Sequence, residues 1–108
     1  MEPLTFAKLR ELDVKRCEEV FFKLTDWTPA DWMTAIAGEV GEAANEIKKH
    51  KRDDQYLDAG RKKNIGKELA DIVIYVDLLA ARMGIDLEEE IREKFNEVSI
   101  KRGSIYRL

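Results

Sequence analysis

A chain of 108 residues carrying 22 acidic and 19 basic side chains, with a formal charge of −3, is long enough for one domain with a modest core. It lacks the basic surplus of duplex-binding domains, so no long nucleic acid is expected as a partner. Cys17 is the only cysteine, which excludes an internal disulfide and a thiolate metal cluster, and suits a reducing cytoplasm.

The N-terminus carries Glu2 and Pro3 where a leader would have basic and then apolar residues, and no run of about 18 apolar residues occurs. Neither secretion nor membrane insertion is expected. Thr5 can cap a first helix whose apolar positions Phe6, Leu9, Leu12, Cys17, Val20, Phe21 and Leu24 continue to about residue 24, with Cys17 buried. Thr28 and Pro29 read as N-cap and first residue of a second helix running to about Lys49, with Asp31 at the positive end of its dipole.

Residues 50 to 60 lose the periodicity and gather charge, which marks a polar connection, and His50 reads as a solvated helix-end residue. A third helix begins near Arg61. Its centre, Leu69 to Ala81, is apolar almost all round, which predicts the most buried helix and burial against another copy of the chain. Gly84 can end it, Asp86 and Glu89 read as N-cap and N3, and Leu87, Ile91, Phe95 and Val98 give the fourth helix a core stripe before Gly103 stops it. No segment alternates as a strand does. The expected fold is a single all-α domain over residues 1–108, a four-helix bundle assembled as a dimer or tetramer.

Two acid pairs at spacing i, i+3 stand in apolar helical stretches: Glu39 with Glu42, and Glu68 with Asp71. Spacing alone carries no weight, because a chain this acidic has about four such pairs by chance. Setting carries more. Glu39 and Glu42 lie among Gly38, Val40, Gly41, Ala43 and Ala44, Asp71 precedes Ile72, Val73 and Ile74, and carboxylates are rarely buried without a partner. Lys48, Arg61 or Lys67 could neutralise them as ion pairs; a bound cation is the alternative. Gly38 and Gly41 point to close approach by a facing helix or a ligand. An all-oxygen donor set selects a hard cation such as Mg²⁺, and a di-iron bundle would need Glu-x-x-His motifs that the lone His50 does not form.

The order Glu39-x-x-Glu42, a spacer, then Glu68-x-x-Asp71 resembles the signature of the MazG-like all-α nucleoside triphosphate pyrophosphohydrolases. The phrases Ala-Gly-Glu-Val-Gly-Glu-Ala, Lys-Glu-Leu-Ala-Asp-Ile-Val-Ile-Tyr and Lys-Phe-Asn-Glu-Val-Ser extend the likeness over most of the chain. The resemblance implies Mg²⁺-dependent hydrolysis of (deoxy)nucleoside triphosphates between the α and β phosphates, with Mn²⁺ as a substitute, by a homodimer or homotetramer. By position, it implies Glu39, Glu42, Glu68 and Asp71 as metal ligands, with Glu42 as the residue that activates water.

Trp32, Glu39, Glu42, Glu46 and Lys49 share one stripe of the second helix, so Trp32 is a candidate for base stacking and Lys49 for phosphate. Tyr75 matches an aromatic near the nucleotide in the dCTP pyrophosphatase branch, and Asn96 and Arg102 resemble positions that reach phosphate or sugar. That branch has an aromatic in place of Lys49, and Val98 and Lys101 fall where it has a terminal Asn-x-x-Arg pattern. Glu46 either joins the metal shell or extends the acidic face, and a subunit-contact salt bridge is the expectation for Asp77. Two rival readings are a non-catalytic helical module that binds nucleotide or protein, and a phosphoribosyl-ATP pyrophosphatase.

Overall fold

The computed structural model describes residues 2–53 and 59–108, with side chains from His50 to Asp53 left aside. Its elements are helices α1 (Phe6–Arg16), α2 (Pro29–Asp53), α3 (Ala59–Arg82) and α4 (Leu87–Arg102), with no strand among the described residues. The expected all-α class holds. Of the expected polar connection, residues 54–58 lie outside the described residues; α2 runs to Asp53 and α3 starts at Ala59.

Local chemistry sets most boundaries. The Thr5 hydroxyl accepts from the Lys8 amide at 3.1 Å, the Thr28 hydroxyl from Asp31 N at 3.2 Å, and the Asp86 carboxylate from Glu89 N at 3.1 Å, each satisfying an orphan donor of a first turn. Gly84 and Gly103 end α3 and α4 with φ of 68° and 72°, the left-handed conformation glycine adopts without strain.

The first helix does not run unbroken to residue 24. After Arg16 it widens into one π-helical turn, Cys17–Phe21, closed by Phe22 N donating to Cys17 O at 2.9 Å, and a 3-10 turn follows over Leu24–Asp26. The widened turn seats Phe22 on the aromatic cluster and leaves Val20 and Phe21 69% and 65% exposed. Cys17 is buried, as expected, with its thiol donating to Phe22 O at 3.3 Å.

Helices α2 and α3 form an antiparallel hairpin, the most extensive helix contact in the molecule, and α1 packs on α3. One end is locked by aromatic rings: Trp32 lies 4.7 Å from Trp27, 5.7 Å from Phe22 and 6.2 Å from Tyr75 between centroids, and its indole N–H donates to Leu24 O at 3.2 Å. Arg82 ties the same end by donating to Trp27 O at 3.0 Å.

Helix α3 is buried only in its C-terminal half, at Leu78 and Ala80, while Leu69 and Val73 are about half exposed, so the expectation of an all-round buried helix is met over part of its length. Helix α4 departs further. Its stripe is not core, since Ile91, Phe95 and Val98 are exposed and the helix makes only slight contact with α1. The expected four α-helices are present among the described residues, with α4 packed only lightly on α1. The radius of gyration, 16.6 Å, exceeds the roughly 13 Å of a compact domain this long.

Between α1 and α3 lie two buried carboxyls, Asp13 and Asp77. Asp77 does not serve a subunit contact as expected: Arg10 of the same chain donates to it at 3.0 Å through Nε and to Ile85 O at 3.0 Å through a terminal nitrogen. Burial first, and then a shared hydrogen bond and repulsion from Asp77, push the Asp13 carboxyl up to about 7, against the pull of Arg16 and Arg10.

The folded chain therefore holds a proton that the unfolded chain releases. This group's contribution to stability is complete below pH 3.8 and fades as pH rises through about 7. Asp13→Asn, whose amide can donate to Asp77 at any pH, is expected to flatten the fall in melting temperature across that window, as thermal unfolding of both proteins over a pH series would show.

Candidate metal centre and nucleotide site

The hairpin brings the two acid pairs face to face. Glu39 and Glu42 come from α2 and Glu68 from α3, and each offers a carboxylate oxygen such that all three lie within 4.8 Å of one another. Glu42 is the exposed member, within carboxyl hydrogen-bonding reach of both others. Glu39 and Glu68 each bury one oxygen with no hydrogen-bond partner. Asp71 stands beside the three rather than among them, acting on Glu39 and Glu68 through charge.

Desolvation is the main reason that the Glu39 and Glu68 carboxyls are raised above the usual carboxylate range. Repulsion from Glu42 comes next for both, followed by Asp71 and Glu68 for Glu39, and by Asp71 and Glu46 for Glu68. Orphaned oxygens, converging carboxylates and raised proton affinity describe a place suited to a divalent hard cation, and Glu39, Glu42 and Glu68 fit it with Asp71 adjacent.

The other candidates divide. Tyr75 is half-buried beside the acids, and its hydroxyl is raised by burial first and then by Glu39 and Asp71. Lys49 donates to Glu46 at 3.5 Å, and Glu46 in turn acts on Glu68 through charge. Trp32 corrects its expectation: with 0% of its surface exposed it belongs to the core, and offers no free face to a base.

Asn96 also differs from its expected role. Its amide clasps the end of the chain, accepting from Leu108 N at 2.8 Å and donating to Leu108 O at 3.3 Å. Arg102 flanks the exposed apolar stripe of α4, so within one chain neither residue is carried to the acids. No facing helix comes close at Gly38 or Gly41, since a Cβ at either position would meet nothing within 4 Å.

Asp13 is the residue the sequence reading passed over. It falls four residues after Leu9 and four before Cys17, an acid set into the apolar stripe of the first helix, and that interruption was its signal.

Residues 38–104 match the MazG-like family model. The chain is 32% identical over 117 aligned residues to dCTP pyrophosphatase 1 of Bos taurus, covering 94% of this chain and 69% of that protein. It is 31% identical to dCTP pyrophosphatase 1 of Rattus norvegicus, over 94% of this chain and 68% of that one. No solved structure gives a significant match. The chain belongs to the MazG-like family and is, by that kinship, a pyrophosphohydrolase.

In the metal-free protein the raised carboxyls of Glu39 and Glu68 make stability fall as pH climbs out of the ordinary carboxylate range, and a divalent cation should reverse that fall by replacing the protons. Glu68→Gln is expected to raise the metal-free melting temperature at neutral pH and to weaken Mg²⁺-induced stabilisation by at least about tenfold in concentration. Thermal shift titrations with Mg²⁺ measure both effects.

Proposed function

We propose that this protein hydrolyses (deoxy)nucleoside triphosphates between the α and β phosphates, releasing a nucleoside monophosphate and pyrophosphate, and so removes unwanted nucleotides. The observation that carries this reading is the convergence of Glu39, Glu42 and Glu68 from two facing helices. Family membership and the dCTP pyrophosphatase relatives supply the reaction class, and dCTP is the first substrate to test.

When bound, Mg²⁺ neutralises the polyphosphate and the charge that builds in displacement. Glu39, Glu42 and Glu68, with Asp71 alongside, would hold it. Glu42, the exposed carboxylate of the three, orients water and takes its proton, while Lys49 meets a terminal phosphate and Tyr75 lies against the nucleoside.

A homodimer or homotetramer completes the molecule. The exposed Ile91, Phe95 and Val98, the half-exposed Leu69 and Val73, and the expanded radius of gyration all leave apolar surface that a second copy would bury. Asn96 and Arg102 lie on that same helix, from which they could serve a neighbouring copy's site.

Incubation with dCTP, the other common triphosphates and phosphoribosyl-ATP in Mg²⁺ should yield pyrophosphate and monophosphate; orthophosphate and a diphosphate would reject the assigned bond. Glu42→Gln is expected to lower kcat by about a hundredfold or more. Binding without turnover, unaffected by Glu42→Gln, would instead mark a non-catalytic module. Light scattering tests assembly, with Phe95→Asp expected to shift the protein towards monomer.

A further inference from the structure

The contact between α1 and α3 encloses two carboxyls that the phosphate chemistry does not use. Asp13 of α1 and Asp77 of α3 are 4% and 1% exposed, and neither Asp13 oxygen nor Asp77 Oδ2 receives a hydrogen bond from an N–H donor. Asp77 Oδ1 does, from Arg10 Nε at 3.0 Å. With Arg10 on Asp77, the proton that the pair shares resides on Asp13 and is directed at Asp77. Two ionised carboxylates buried beside a single guanidinium would be costly.

Arg10 has a second partner. Its terminal nitrogen donates to Ile85 O at 3.0 Å, just after Gly84 turns the chain from α3 towards α4. That bond fastens the entry of α4 to α1, where the packing of the two helices is slight. One guanidinium thus joins α1, α3 and the start of α4. It stands three residues before Asp13, on the same face of α1.

The neighbouring charges leave the balance to these three groups. Lys15 and Arg16 of α1 and Glu19 of the widened turn border a groove with Asp13 and are exposed. Glu11, Asp86 and Glu88 rim the cavity at Arg10 and are exposed too, so solvent and salt screen them. The widened turn also brings the Cys17 thiol, raised by burial. From α2 comes the uncharged Trp32, and from α3 Asp71 and Tyr75, on the wall of a cavity that Asp13 shares.

We propose that Arg10 is a proton-controlled fastener of α4: protonated Asp13 leaves Arg10 free to hold Ile85 O, and loss of that proton turns its fork from Ile85 O to span both carboxylates. The guanidinium has donors enough for either arrangement, and two buried carboxylates attract it more strongly than one carbonyl. Burial first, then the shared hydrogen bond and repulsion from Asp77, push the Asp13 carboxyl up to about 7. The fastened form binds the proton more tightly, so α4 is held below about pH 7 and released as pH rises through it. Nothing in this depends on the reaction assigned to the acid cluster.

Amide hydrogen exchange of the whole protein, corrected for the intrinsic effect of pH on exchange, tests the proposal. Protection over residues 89–95 of α4 should fall by about tenfold between about pH 6 and about pH 8, while α2 around Trp32 changes by less than about twofold. In Asp13→Asn, whose amide donates to Asp77 at either pH, the fall should shrink to within about twofold. Arg10→Lys keeps a charge for Asp77 but has no fork to reach Ile85 O, so protection of α4 should be low at both pH values.

Unchanged protection of α4 across this range in the wild-type protein overturns the proposal. So does a loss spread equally over all four helices, a fall that persists in Asp13→Asn, or full protection in Arg10→Lys at the lower pH. The wild-type comparison decides by itself, so a poorly folding variant does not remove the test.

Discussion

Everything in this molecule is arranged around a repulsion. Three glutamates from two helices bring their oxygens within 4.8 Å, with a fourth acid alongside, and desolvation makes the charges on Glu39 and Glu68 more costly than they would be in water. Helices left to themselves would slide or splay to separate such charges. What prevents this lies one end away along the hairpin, where Trp27, Trp32, Tyr75 and Phe22 interlock and Arg82 fastens the loop before α2. Stability is concentrated at one end of the hairpin, within a turn or two of the acids at its middle, where electrostatic repulsion must be held.

The core that performs this holding is small. Cys17, Trp32, Ile36, Ala43, Leu78 and Ala80 are its buried apolar members among the described residues, and larger side chains on α3 and α4 remain in contact with solvent. A chain of this length buries too little to tolerate much internal repulsion unaided. Cation binding and association with a second copy would each relieve that shortage, so ligand occupancy and assembly would both bear on whether the hairpin keeps its register.

Local sequence made the caps and stops legible because their chemistry is short-ranged: Thr5, Thr28, Asp86, Gly84 and Gly103 each act within a few residues of themselves. The acid pairs were legible through their apolar surroundings. Periodicity misled at α4, where Leu87, Ile91, Phe95 and Val98 form a correct stripe but a stripe names no partner, and among the described residues only α1 touches that helix to any extent. It misled again at Val20 and Phe21, since one added residue in the helical turn from Cys17 shifts the following face without changing composition. Trp32 sat on the acids' stripe in projection, yet at the locked end of the hairpin that stripe turns inward. Asp13 and Asp77 could be paired only by the fold, because 63 residues separate them in sequence.

The widened turn at Cys17 also decides how the molecule meets an oxidant. Burial raises the thiol above its ordinary range, against the pull of the Phe22 backbone, so little thiolate forms and peroxide finds a poor nucleophile. Met33 and Met83 are more than half exposed and stand first on the oxidation ladder instead. Both are thioethers whose sulfoxides reductases can reverse, and neither belongs to the acid cluster or the aromatic lock. Oxidative damage is thereby diverted to the periphery, and the sole sulfhydryl of the chain serves as packing rather than as a redox sensor.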